Sequence, residues 1–217
     1  MKTNQDYKNA ALAQLKGNWS QAVLASVVLM LVALLFNFGA NGLVGVPSGA
    51  AVFLSSGASI IVSCFLIGPL NIGFANATRV LYERGDANVL KNTWNFATCG
   101  YLRMVLGYFF MTLKIVLWTC LLVVPGIIMC FAYAMTPYIL AENPELSAWD
   151  ASTRSREMMK GHKFDFFYLC LSFIGWGILA VLTLGIGFIW LVPYIQTTVA
   201  AFYNDLKSES GYQTIAQ

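Results

Sequence analysis

Long apolar stretches alternate with short charged ones along the whole chain, and the apolar stretches approach the length that crosses a bilayer. A helix needs about 20 consecutive apolar residues to pass through the hydrocarbon layer. Six segments reach or approach that length: Ser20–Phe38, a charge-free run from about Ala50 to Ala77, Leu102–Val124, a shorter Ile127–Ala141, Phe166–Leu184 and Phe188–Tyr203. They fall into three pairs. The turns within pairs (Gly39–Gly49, Pro125-Gly126 and Gly185–Gly187) carry no charge, whereas every segment between pairs does. The pattern predicts an all-α, polytopic transmembrane helical bundle of about six spans, arranged as three hairpins.

The hairpins look like repeats of one unit. Each second arm carries a proline in a similar setting: Ile67-Gly-Pro69-Leu-Asn-Ile72, Met135-Thr-Pro137-Tyr-Ile-Leu140 and Leu191-Val-Pro193-Tyr-Ile-Gln196. Proline inside a helix frees a carbonyl and bends the axis, so Pro69, Pro137 and Pro193 are expected kinks. Each hairpin follows a polar segment ending in glycine: Lys16-Gly17, Cys99-Gly100 and Lys160-Gly161. Three units, about 1–78, 79–141 and 142–207, then form one integral membrane domain with a flexible tail at 208–217. Chance recurrence of common membrane residues is the competing account of the repeat.

The segments between hairpins read as helices lying on the membrane surface. Tyr7, Ala11 and Leu15 align at i, i+4 and i+8 beside Lys8 and Lys16, and Ser147-Ala-Trp-Asp150 has the shape of a capping box. Trp149, Met158 and Met159 offer an apolar side against Arg154, Arg156 and Lys160. Burial and attraction to anionic headgroups both favour such basic amphipathic helices at an interface.

Composition agrees with the periodicity. The chain of 217 residues is 58% hydrophobic and 11% charged, with a mean hydropathy of +0.66. About a quarter of an ordinary soluble domain is charged. Five scattered cysteines (Cys64, Cys99, Cys120, Cys130 and Cys170) include no C-x-x-C pair and suggest no disulfide framework. Twelve of the thirteen Lys and Arg lie before the first hairpin, between hairpins or after the last. The positive-inside rule then puts those segments, and both termini, in the cytoplasm. The run after Lys16 is too long for a secretory signal and is read as an uncleaved first span.

Chemistry is sparse. The single histidine, His162, sits in a basic run, and no metalloprotease, nucleophile-elbow or phosphate-loop pattern occurs. No catalytic residue, metal site or cofactor is expected, nor a nucleic-acid partner. Lys114 stands out because it falls near the middle of the third span, where a charge is costly and points to function. It either faces an internal cavity, meeting a lipid phosphate or an anionic solute, or snorkels toward the cytoplasmic edge. Asn71, Asn76 and Gln196 are further candidates for such a polar intramembrane site. Ser55, Ser59 and Ser63 recur every four residues and predict close helix packing.

Several blocks together resemble a known family. They are Val124-Pro-Gly-Ile-Ile128, Pro137-Tyr-Ile-Leu-Ala-Glu-Asn-Pro144, Ala151-Ser-Thr-Arg-Ser155, Leu182-Thr-Leu-Gly-Ile-Gly187 and Trp190-Leu-Val-Pro-Tyr194. They are similar to an uncharacterised bacterial membrane family, domain of unknown function 975, and Lys16-Gly-Asn-Trp19 extends the resemblance toward the start. The resemblance implies a multi-pass protein of a bacterial inner membrane and supplies no activity. The expected role is a non-enzymatic scaffold or partner-binding subunit in contact with membrane lipids and with a protein partner or another copy of itself. The alternative is a small transporter or lipid-binding protein with a polar cavity near Lys114.

Overall fold

A computed structural model describes residues 2–42, 63–86, 88–98, 100–121, 123–143 and 145–211. All regular structure among them is helical. In chain order the helices are α1 (Asn4–Leu15), α2 (Trp19–Gly42), a π-helical turn (Ser63–Ile67) running into α3 (Gly68–Arg84), α4 (Val89–Thr98), α5 (Tyr101–Leu121), α6 (Val123–Ala132), α7 (Thr136–Glu142), α8 (Ala148–Met158), α9 (Lys163–Leu171), α10 (Ile174–Leu182) and α11 (Phe188–Glu209). Ser55, Ser59 and most of the expected second span lie outside the described residues. Of Ser63, only the backbone, in the π-helical turn, is described.

A short helix, a glycine and a longer apolar helical segment follow one another three times, the third segment being α9 and α10 together. Gly17, Gly100 and Gly161 take φ of 92°, 73° and 95°. A side chain is strained in this left-handed region, so glycine ends α1 and α8 and precedes α5 where other residues would carry the helix onward. At the first of these breaks the axes of α1 and α2 differ by 100°. The starts of the short helices are fixed locally as well. Thr3 and Asp6 form a reciprocal capping box on α1, and Ser147 Oγ accepts the Asp150 amide at 3.1 Å to cap α8.

The three prolines behave differently from one another. Pro69 starts α3 directly after the π-helical turn. Having no N–H, it leaves the Phe65 carbonyl four residues back without its helical donor, and the Tyr101 hydroxyl of α5 donates there instead. Pro137 starts α7 after a tight turn in which the Thr136 amide bonds the Tyr133 carbonyl at 3.0 Å. The fourth expected span is therefore two short helices. Pro193 is the only one of the three inside a continuous helix, α11. Two expected kinks are thus helix starts, the position where the fixed φ of proline is best tolerated.

Close backbone approach explains two hairpin turns. A Cβ on Gly126 would lie 2.8 Å from Thr119 Cα, and one on Gly187 would lie 2.7 Å from Ala180 Cα. Only glycine lets α5 meet α6, and α10 meet α11, at those distances.

The core centres on α3, which packs against α2, α4, α5, α7 and α11. Ile72, Tyr138, Met135, Phe202 and Tyr203 are fully or almost fully buried there, together with Tyr7 from α1. Tyr138 stacks on Tyr203 with ring centroids 5.3 Å apart, and Tyr7 meets Phe202 edge-on at 5.4 Å. Large apolar side chains are exposed along α2, α5, α9 and α10, including Leu117 at 69% and Leu182 at 74%. Apolar surface this extensive is of the kind that a membrane or a partner covers. Tyr101–Thr119 (19 residues) and Lys163–Leu182 (20 residues) are each long and apolar enough to cross a membrane, and Asn4–Leu15 with Trp19–Leu35 qualifies as a third if the bent pair is one span.

Candidate functional site

Lys114 leaves α5 toward the surface helix α8. Its Nζ donates to Ser152 Oγ and sits 3.6 Å from the centroid of the Trp149 ring and 5.6 Å from that of Tyr133. A cation over an indole face is held by the ring quadrupole. One turn on, Ser155 Oγ donates at 2.8 Å to the Ala132 carbonyl, at the break between α6 and α7. The two serines of α8 therefore fasten it to both arms of the second hairpin. Trp149 does not share the buried face of Met158 and Met159, as expected from sequence; it is 60% exposed and turns to the lysine instead.

The other polar candidates do not gather around Lys114. Asn71 Nδ2 donates to the Ile67 carbonyl of its own helix at 3.1 Å. Buried Asn76 accepts from Arg79 Nη2 at 3.0 Å. Gln196 Oε1 accepts the Tyr138 hydroxyl at 3.0 Å. Asn71 and Gln196 share the lining of a cavity of about 180 Å³ with Ser26, but Lys114 is not part of that lining.

The densest polar constellation was not anticipated. Glu142, at the end of α7, has a side chain only 6% exposed and meets Arg79 Nη1 at 3.4 Å. Its Oε2 accepts the Tyr203 hydroxyl at 2.6 Å, and its Oε1 also pairs with Lys207. Arg79 reaches Glu83 as well, at 3.1 Å. The ends of α3, α7 and α11 are thus locked by charges of both signs. Arg103 performs a related task nearby. Its guanidinium donates to the carbonyls of Leu140 (2.8 Å), Leu146 (3.1 Å) and Asn143, closing the C-terminal end of α7, where unpaired carbonyls carry the negative end of the helix dipole.

The start of the chain is tied to its far end. The Tyr7 hydroxyl donates to Asp205 Oδ2 at 2.5 Å, and the Lys2 amide reaches the same oxygen at 3.2 Å. Burial pushes the Asp205 carboxyl up, but these hydrogen bonds and the nearby positive charges outweigh it and leave the group below its ordinary value. Burial and the Asp205 hydrogen bond both raise the Tyr7 phenol. Lys8 Nζ donates to the Ser172 carbonyl at 3.0 Å and lies 4.4 Å from the Phe173 ring centroid. Burial lowers its affinity for the proton.

No group of three His, Cys, Asp or Glu that could hold a metal occurs among the described residues. The polar inventory works mostly as fastening between helices. Among the described residues all regular structure is helical, and two helices, or three if the bent pair is one span, are long and apolar enough to cross a membrane. Residues 107–210, just under half of the chain, match the family described as a protein of unknown function (DUF975). The resemblance at Lys16–Trp19 lies outside that match. No curated protein and no solved structure matches the chain.

Proposed function

We propose that this protein is a non-enzymatic module of a bacterial inner membrane that acts as a scaffold or partner-binding subunit. On this reading three hairpins make six crossings, both termini are cytoplasmic, and α1, α4 and α8 lie along the cytoplasmic interface. The carrying observation is that Lys114 is engaged by Ser152 of α8 and lies outside the cavity that Asn71 and Gln196 line, while Gln196 bonds Tyr138 of α7 and Asn71 and Asn76 bond within their own helical segment. The joining of Arg79, Glu142 and Lys207 at one end supports the topology, because the second arms of all three hairpins then finish on the same side. The left-handed conformation of Gly17, Gly100 and Gly161 at matching positions supports the repeat. Basic residues on α4 and α8 (Lys91, Arg154 and Arg156), with Trp94 exposed one turn from Lys91, suit a platform facing headgroups and a partner.

The test has two arms. Single cysteines introduced at Gln5 and Glu157 are expected to react with an impermeant maleimide in inside-out vesicles and not in intact cells. Liposomes carrying the purified protein are expected to leak protons and small anions no faster than empty ones. A protein-dependent anion flux abolished by Lys114→Met overturns the scaffold reading in favour of transport. Labelling at either position from outside the cell overturns the topology.

A further inference from the structure

The elbow between α1 and α2 faces a groove between α10 and α11. The groove encloses about 350 Å³, and its lining includes Leu12, Trp19, Trp176, Leu179, Trp190 and Tyr194. That volume falls within the range of about 300–1,000 Å³ usual for small-molecule sites. Three of the six tryptophans of the chain line this one feature. Trp176 and Trp190 are each more than half exposed. Trp176 and Leu179 belong to Lys163–Leu182, one of the helices able to cross a membrane. The groove therefore runs along a span and is apolar along its length, with its α1 end beside a surface helix.

Charge is placed at that end alone. Lys8 stands one turn before Leu12 on α1, and Lys16 ends that helix at the elbow between the groove residues Leu12 and Trp19. Lys8 is occupied, since it donates to the Ser172 carbonyl and lies over Phe173. Phe173 in turn packs on the groove residue Tyr194, with centroids 5.3 Å apart. Lys16 is exposed, and its ammonium has no partner among the described residues. The indole N–H groups of Trp19, Trp176 and Trp190 likewise donate to nothing among them. A free cation at the mouth of an apolar slot, with Trp19 at the elbow to donate to an ester or phosphate oxygen, has the polarity of a lipid whose headgroup is anionic.

We propose that this groove is a specific site for an anionic glycerophospholipid, with an acyl chain between α10 and α11 and the headgroup phosphate beside Lys16. Bulk lipid would coat the exposed helix faces without regard to headgroup. This site selects charge through Lys16 and shape through the three indoles. The proposal rests on membrane insertion, and it moves the lipid contact away from Lys114, whose ammonium is already taken by Ser152 and Trp149.

The full chain in neutral detergent micelles, titrated with phosphatidylglycerol brominated on one acyl chain, tests it by tryptophan quenching. Saturable quenching is expected at a mole fraction about fivefold below that needed with the equally brominated phosphatidylcholine, the preference one lysine supplies near a surface. Lys16→Gln is expected to remove the preference. Trp176→Phe and Trp190→Phe are each expected to reduce the saturable component, whereas Trp94→Phe and Trp118→Phe, outside the groove, leave it unchanged. Equal quenching by both lipids overturns the proposal, as does a saturable component that disappears with Trp94→Phe or Trp118→Phe. Retention in the membrane after an alkaline wash is scored separately. A chain that is retained but shows no lipid preference loses the site and keeps the membrane reading, whereas a chain released by the wash loses both.

Discussion

Arg103 Nη2 donates to the Leu140 carbonyl at 2.8 Å, so an arginine near the start of α5 closes the end of α7. The same side chain takes the Leu146 and Asn143 carbonyls. A planar fork of donors can satisfy several carbonyls at once, which a lysine ammonium on its flexible stem does poorly. Hydrogen bonds to charged groups contribute about 1.5–3 kcal/mol each in net terms. Arg103→Met is therefore expected to lower the unfolding free energy in detergent by about 3 kcal/mol, with Arg103→Lys recovering less than half. Thermal melts followed by helical circular dichroism supply the comparison, and equal melting of the Lys and wild-type proteins would falsify the capping role.

Glu142 answers two cations while almost fully buried, and its loss leaves them facing one another. Breaking a buried pair by removing one partner costs about 3–5 kcal/mol. Glu142→Gln is expected toward the low end of that range, because Lys207 keeps a side-chain exposure of 21%. Adding Lys207→Met to Glu142→Gln should recover part of the loss. A coupling below about 0.5 kcal/mol in the double-mutant cycle would mean that the two residues act independently.

How far these features could be read in advance depended on whether their cause was local. The breaks at Gly17, Gly100 and Gly161 and the Ser147 cap follow from residues within a turn of one another, and their positions were legible in the sequence. Pro69 and Pro137 were located correctly but taken for kinks, because whether a helix continues through a proline depends on which group donates to the freed carbonyl. At Pro69 that donor is Tyr101, 36 positions from Phe65. The Glu142 cluster and the Arg103 cap join positions from 37 to 65 residues apart, and neither has a spacing that a motif can express. Lys114 was recognised as unusual, yet its stem is long enough to turn either way. Only the position of α8 settles which way it turns.

Two glycines separate backbone strain from steric contact. Gly17 has φ of 92° and nothing within 4 Å of an added Cβ, so Gly17→Ala should cost only the left-handed penalty of about 1–2 kcal/mol. Gly17→Asn should cost less, since Asn tolerates that conformation. Gly126 faces Thr119 Cα at 2.8 Å, so alanine and asparagine there should both push α5 from α6. Melting temperatures that rank Asn above Ala at Gly17, with both low at Gly126, are the expected outcome.

The Tyr7–Asp205 link should give the docking of α1 a pH window. The Asp205 carboxyl sits below its ordinary value in the fold. Its contribution is then complete above the unfolded value of about 3.9 and disappears as pH falls through the lower folded value. The Tyr7 phenol is raised in the fold, so its contribution is complete below about 10 and declines as pH rises past that. Proteolytic nicking within residues 2–16 is expected to be slow between these limits and faster beyond them. Asp205→Asn should flatten the acid side and Tyr7→Phe the alkaline side; an unchanged acid limb in Asp205→Asn would assign that limb to another carboxylate.

Lys114 offers the sharpest contrast between fastening and transport. Its ammonium bridges α5 to α8 through Ser152 and the Trp149 ring, 3.6 Å away. With Trp149 60% exposed, the cation–π contact contributes about 0.5–1 kcal/mol, and the hydroxyl adds a charge-assisted hydrogen bond. Lys114→Met should therefore loosen α8 selectively, while Ser155 still holds the Ala132 carbonyl. Trp149→Leu should loosen the same helix less, and combining the two should do little more than Lys114→Met alone, because the ring contact is already lost with the lysine. Lys114→Arg should preserve most of it, since a guanidinium stacks on an indole at least as well as an ammonium. Amide hydrogen exchange across residues 148–158 measures this directly. Faster exchange confined to α8, with α5 unaffected, is the signature of a fastener. If α8 protection is unchanged in Lys114→Met, then Ser155 and the buried methionines hold that helix without the lysine.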